Sequence, residues 1–216
     1  MTTSPTHSPL KRLRAVIPQR SVSFDEALRV AEHQAALLYD LLDEGDGIRD
    51  IHIAGLPRIA VTYEPLSVSG MSHWNGTLWI IAINRGDSLP RQRFTLLHEF
   101  KHIVDHGYSH QLYQGTRRRT PAQEAEAAAD YFAGCALLPK RQLKSAWGNG
   151  IQRVPALAEH FGVSEQAVRV RLAQTGLDAG EDRAPQARCA RPVSTPRTHS
   201  QRFIVRRPHY SRKAYA

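Results

Sequence analysis

Between Phe24 and Glu44 the apolar positions Ala27, Leu28, Ala31, Ala35, Leu38 and Leu42 recur at helical spacing. Ser23, with Glu26 three residues on, is a capping box at the start of this run. The pattern therefore predicts a helix from Phe24, ended by Gly45 and Gly47. The period then changes. RIAVTYE at 58–64 is rich in strand formers, Leu66–His73 reads as a second strand, and TLWIIAI at 77–83 is the strongest of the three. Asn75-Gly76 between the last two is a two-residue hairpin signal, so the three runs are expected to form a small antiparallel sheet.

Helical spacing returns in RQRFTLLHEFKHIVDH at 91–106. Pro90 suits its first turn, Asp87 or Ser88 its cap, and Gly107 its stop. A loop, YSHQLYQGTRRR, follows. Thr120-Pro121-Ala122-Gln123 caps an alanine-rich helix running to about Leu138, closed by Pro139. Residues 140–177 read as three short helices. Beyond about 178 the chain is Pro-, Ser-, Thr- and Arg-rich without periodicity, a composition that predicts disorder.

No run of 18 apolar residues is present, so no membrane span is expected. The start, MTTSPTHSPLKRLRAVIPQR, lacks the apolar stretch of a signal peptide. Residues 1–20 are read as an unprocessed, disordered basic tail and the protein as cytoplasmic. Of two cysteines, Cys135 lies in the apolar stretch FAGCALLP, as a buried structural thiol would, and Cys189 in the polar tail. Neither has a CxxC partner. The net charge of +9 is unevenly placed: +4 in residues 1–20 and +9 in 183–216, with 16 basic against 20 acidic residues in 21–182. The folded part is mildly acidic. The basic ends suit weak, non-specific nucleic-acid binding, or are simply solvated.

His98-Glu99-Phe100-Lys101-His102 is an HEXXH pattern. On a helix, i and i+4 share one face, so both imidazoles can approach one ion. Glu99 is adjacent and suited to proton transfer rather than ligation. Phe94, Leu97, Phe100, Ile103 and Val104 put large apolar residues on two sides, which marks a buried helix. A catalytic zinc site needs a third protein ligand and one open position. The candidates are His106, His110, Glu124, Glu126 and Asp130. His106 lies roughly 12 Å along the axis from His98, too far to join both histidines. Glu126 and Asp130 are i and i+4 on the next helix. One can bind metal while the other accepts a histidine N–H. Glu124 points away from Glu126, so both cannot serve.

HEXXH followed by Glu126-xxx-Asp130 resembles the gluzincin arrangement. More narrowly, the chain resembles the ImmA/IrrE family of bacterial metallopeptidases. The matching pieces are IAIN at 81–84, RFTLLHEFKHIVDH at 93–106, the segment ExxADxFAxxxLLP from Glu126 to Pro139, and LAEHFGVSEQAVRVRL at 157–172. They cover about 24–177 in the family's order and spacing. The resemblance implies an α+β, zincin-like fold with Zn2+ on His98, His102 and Glu126. It also implies Glu99 as catalytic base and Asp130 as the partner of a ligand histidine, His98. Two positions depart from the pattern. Lys101 stands where the family usually has Gly before the second His, and Leu138 where it often has Met. A lysine there can be held outward, but Gly often marks close packing, so the helix can also sit differently.

Tyr108, His110, His106 and Tyr131 are candidate oxyanion or substrate contacts, although a structural role is the favoured reading for each. Thr77–Ile83 could offer an edge to an extended peptide, or be an ordinary core strand. Val154–Gln174 fits the helix-turn-helix template loosely, with Ala158, Gly162 and Val168 at its small, turn and apolar positions. Arg171 sits where an apolar residue is expected, so a hairpin packed on the peptidase is favoured over a DNA reader. The expected organisation is a tail (1–20), a zinc peptidase domain (21–139), a helical module (140–177) and a tail (178–216). The resemblance implies a zinc endopeptidase that cleaves a regulatory protein, such as a helix-turn-helix repressor of a phage, mobile element or stress response. The alternative is a DNA-associated regulator or toxin–antitoxin protein with a structural or sensory zinc site.

Overall fold

The computed structural model describes residues 8–42 and 48–177. Nine helices and three strands are found among them: α1 (Pro9–Ala15), α2 (Phe24–Leu42), α3 (Asp50–Ala54), β1 (Ile59–Glu64), β2 (Gly70–Trp74), β3 (Trp79–Asn84), α4 (Leu89–Asp105), α5 (Ser109–Leu112), α6 (Pro121–Leu137), α7 (Lys140–Gly148), α8 (Val154–Phe161) and α9 (Glu165–Thr175). The α+β class and the three C-terminal helices match expectation. The ends proposed for α2 at Gly45 and Gly47, and the tail from 178, lie outside the described residues.

Local signals place the long helices. The Glu26 backbone N–H donates to Ser23 Oγ at the start of α2. Thr120 and Gln123 form a reciprocal capping box at the start of α6. Pro90 occupies the first turn of α4, with Ser88 as N-cap. α2, α4 and α6 pack together as the helical layer around one core that includes Phe100, Ile103, Phe132 and Leu38.

The sheet is mixed rather than antiparallel throughout. β2 and β3 form the expected antiparallel hairpin, but β1 runs parallel to β3, and the order is β1-β3-β2. The connection from β1 through β2 therefore passes β3's position and returns. β3 is central and paired on both sides, which selects the core-strand reading of Thr77–Ile83 over the free edge; β2 is an edge strand instead. Its register fixes which groups are free. Asn84 N–H donates to Ser69 C=O (2.8 Å) and Asn75 N–H to Leu78 C=O (3.1 Å). By antiparallel alternation, Met71 and His73 also turn their backbone groups to β3, while Gly70, Ser72 and Trp74 turn theirs outward.

Gly70 sets how closely α4 crosses β2. A Cβ there would lie 2.4 Å from Thr95 Cγ2 and 3.0 Å from the Ala82 carbonyl oxygen, so only glycine fits this crossing.

The N-terminal segment corrects a second expectation. Residues 9–15 form a helix, not a disordered tail. Leu13 is fully buried and Ile17 nearly so, and a buried leucine contributes about 1.5–3 kcal/mol. Arg14 donates to the carbonyls of Val104 (3.0 Å) and Ile103 (2.7 Å). It thus satisfies open acceptors at the C-terminus of α4, where a cation is also favoured by the helix dipole.

α8 and α9 lie against the same core, through Leu157, Val168 and Leu172. Arg171 is buried, donating to the Leu138 carbonyl and to Glu32 Oε1 on α2, both at 3.1 Å. The arginine that broke the helix-turn-helix pattern is therefore the side chain that fastens α9 to the rest. No helix among the described residues is long and apolar enough to cross a membrane.

Candidate metal centre

α4 presents His98 and His102 one turn apart, with ring nitrogens Nε2 3.1 Å from each other. α6 crosses it and brings Glu126 to both: Oε2 is 3.2 Å from His98 Nε2, and Oε1 is 3.4 Å from His102 Nε2. One ligand atom from each residue lies within 4.8 Å of the others. The histidines are half-buried and the Glu126 side chain is 63% exposed, so the cluster opens to solvent on one side.

Asp130, one turn after Glu126, meets His98 Nδ1 at 2.9 Å. A carboxylate accepts, so Nδ1 carries the hydrogen and Nε2 is left with its lone pair toward Glu126 and His102. Lone pairs and carboxylate oxygens converging on one point repel unless a proton or a metal cation lies between them. The donor set, two imidazoles and a carboxylate, is one that zinc accepts. Burial acts to lower the His98 pKa, but the Asp130 hydrogen bond and the charges of Asp130, Glu99 and Glu126 raise it above the ordinary value. His102 is lowered, by burial and then by the charge of His98.

Glu99 does not join the ligand group. Its Oε2 accepts a hydrogen bond from Ser72 Oγ at 2.8 Å. Sequence reasoning missed Ser72. It lies 27 residues away, and only the close crossing at Gly70 brings it into reach.

Lys101 corrects a third expectation. It is not held outward but is 1% exposed. Its Nζ donates to both Asp105 oxygens (2.5 and 2.6 Å) and to Gln34 Oε1 (2.8 Å). Tyr113 OH donates to the same carboxylate at 2.5 Å. Gln34 in turn donates to the Leu13 carbonyl on α1 (3.0 Å). Burial pushes the lysine's pKa down, opposed by Asp105. The network braces the back of the metal-site helix against α1 and α2.

The remaining candidates are dispersed. Glu124 is buried and accepts from the Gly115 N–H (2.9 Å), holding the loop before α6. Tyr131 OH donates to Glu32 at 3.2 Å. Tyr108 packs on a smaller apolar cluster around Ile17 and Val22. His110 is exposed on α5. His106, at the end of α4, rests edge-on against Trp79, with ring centroids 4.8 Å apart. Cys135 is buried as expected, which pushes its thiol up to about 12.

An HEXXH helix, a carboxylate on a crossing helix and a small sheet along the site define a domain of the metallopeptidase type. The family model for the IrrE N-terminal-like domain, a peptidase family, matches residues 57–173, more than half of the 216 residues. The chain belongs to that family, and the membership supports a zinc-metallopeptidase type of function. A Mycobacterium tuberculosis transcriptional regulator of known structure is similar with a TM-score of 0.59 at 18% identity, over 76% of this chain and 51% of that one. The similarity is one of fold, and the chain spans about half the length of that regulator. No curated protein sequence matches.

Proposed function

We propose that the chain is a zinc-dependent endopeptidase in which His98, His102 and Glu126 hold the metal, Glu99 is the general base and Asp130 orients His98. The observation that carries this reading is a three-residue ligand group, open on one side, with a further carboxylate beside it. A structural zinc site is closed by four protein ligands and has no use for Glu99, whereas a catalytic site keeps one position open.

Zinc at this site supplies Lewis acidity toward a carbonyl oxygen and makes water a better acid. The chain's own residues do the rest. Glu99, its carboxylate held by Ser72, accepts the proton of the attacking water and delivers it to the nitrogen of the leaving amine. Asp130 fixes the tautomer of His98. The outward backbone groups of Gly70, Ser72 and Trp74 offer an extended peptide a partner by strand addition, which lays a scissile bond alongside Glu99. A regulatory protein such as a helix-turn-helix repressor is the proposed substrate. The family resemblance implies it, and it suits a fold shared with a transcriptional regulator.

A second reading, a DNA-associated or toxin–antitoxin protein with a structural or sensory metal, predicts that Glu99 is dispensable. The test is Glu99→Gln in a derepression assay in cells, with metal content measured on the same protein. Loss of derepression with metal retained supports the peptidase. Full activity of Glu99→Gln refutes it.

A further inference from the structure

Beyond the metal site, at the C-terminal end of α4, lies a cavity of about 420 Å3. Its walls include Trp74, Trp79, Arg58, Lys11, Arg14 and His106, and no acidic residue among those described lines it. Its position follows from the elements that make the metal site. Trp74 is two residues beyond Ser72 on β2, so both side chains point to the same face of the sheet, roughly 7 Å apart along the strand. His106 is one turn beyond His102 on α4, roughly 6 Å along the axis. Trp74 is paired across the hairpin with Trp79, their rings 5.6 Å apart. A peptide lying on the outer edge of β2 and passing Glu99 reaches this cavity within about two residues.

The charge of the cavity is not neutralised from within. Arg14 is engaged by the carbonyls that end α4. Lys11 is exposed and has no ion pair among the described residues. The Arg58 guanidinium lies 4.8 Å from the centroid of the Trp74 ring, its Nε on the Thr77 carbonyl. Arg58 is also the one non-glycine residue with positive φ among those described, at 66°. That backbone costs on the order of 1 kcal/mol, and such conformations concentrate at functional sites. Here it aims a cation at the cavity mouth. Arg58 over the Trp74 indole, with Lys11 on the same lining, suits a carboxylate on a short apolar stem.

We propose that this cavity is a specificity pocket for an acidic side chain of the substrate, about two residues from the scissile bond on the Trp74 side. Arg58 and Lys11 bind the carboxylate, Trp74 and Trp79 contact its methylenes, and His106 closes the wall. His106 is then a substrate contact, not an oxyanion donor. The proposal rests on the peptidase reading, and its test separates the two.

Full-length zinc-loaded chain, wild type and Arg58→Asn, is given short unstructured peptides in which each position in turn is Glu, Gln or Lys. Asparagine tolerates the left-handed backbone, so the variant loses charge without added strain, and thermal melting checks its fold. Cleavage is read by mass spectrometry. Binding of the same peptides to Glu99→Gln is read by tryptophan fluorescence, with and without Arg58→Asn. The expected result is a preference of about tenfold for Glu over Gln at one position near the cut, as for one charge-assisted hydrogen bond. Lys should be worse still, and the ratio should fall toward one in Arg58→Asn and in high salt. Equal use of Glu, Gln and Lys, or a Glu preference that Arg58→Asn leaves intact, overturns the pocket while the peptidase stands. Glu-selective binding that depends on Arg58, without cleavage of any peptide by wild type, supports the pocket and refutes the peptidase. Neither binding nor cleavage overturns both.

Discussion

Ser72 Oγ donates to Glu99 Oε2 at 2.8 Å, tying the edge strand to the metal-site helix. In the proposed peptidase this bond holds the carboxylate by one oxygen and leaves the second for a water proton. Glu99→Gln should lower peptide cleavage by roughly 10^2–10^4-fold, the usual contribution of a general base, with metal content unchanged. Ser72→Ala should lower kcat by a smaller factor, of the order of tenfold, because it misorients the base without removing it. Parallel kinetics and elemental analysis check both. Equal losses in the two variants would show that the serine does more than orient.

Metal content reports on the ligands directly. Wild-type chain should hold about one zinc, and His98→Ala and Glu126→Ala should lose it, since each removes one of three protein ligands. Asp130→Asn should keep the metal with an affinity about 10–100-fold weaker, the typical effect of losing a carboxylate behind a ligand histidine. Competition with a chromophoric chelator measures the ratio.

Acid should strip the metal earlier than free histidine would suggest. In the metal-free chain Asp130, Glu99 and Glu126 outweigh burial and raise the His98 pKa, while His102 is lowered. His98 therefore protonates first as pH falls, and protonated imidazole cannot ligate. Apparent zinc affinity should drop about tenfold per pH unit below the His98 pKa, where about one proton is released per metal bound. Calorimetry in buffers of different ionisation enthalpy counts that proton. In Asp130→Asn the onset should move to lower pH, because the group that raises His98 is gone.

The features legible in the sequence are local ones. The caps at Ser23 and Thr120 and the i,i+4 histidines each depend on residues within one or two turns, and each lies where the spacing put it. The hairpin forms too, but its two-residue loop is Gly76-Thr77, closed by Asn75 on Leu78, one residue later than Asn75-Gly76. The features missed depend on partners far along the chain. α1 is too short to form without help. What holds it is Leu13 in the core and Arg14 on carbonyls about 90 residues away. The parallel pairing of β1 with β3 leaves no mark on the strands' own alternation. Lys101 reads as a surface residue until Gln34, 67 residues earlier, is seen beside it.

Nucleic-acid binding, if observed, should come from the tail and not from α9. The inward face of α9 is spent on Val168, Arg171 and Leu172, and Arg169 pairs with Glu165 at 3.1 Å. Arg169→Ala should leave DNA binding unchanged. Deleting 183–216, with its eight Arg and one Lys, should abolish the salt-dependent component, as counterion release requires. Gel-shift titrations at two salt concentrations decide this, and a loss with Arg169→Ala would restore α9 as a DNA-reading helix.

The Lys101–Asp105 pair gives the sharpest stability prediction. Both side chains are almost wholly enclosed, at 1% and 5% exposure, and four groups depend on one another: Lys101, Asp105, Gln34 and Tyr113. Asp105→Leu leaves an ammonium in the core with Gln34 alone, and should cost about 3–5 kcal/mol. Lys101→Met leaves the carboxylate with only the Tyr113 hydroxyl and should cost a similar amount. The double variant Lys101→Met/Asp105→Leu removes both charges and should be less destabilised than either single change, because buried ion pairs are often replaceable by apolar residues of similar size. Chemical denaturation of the four proteins closes the cycle. Additive losses would mean that the two groups do not sense each other, and would undo the account of how a lysine occupies this helix beside His102.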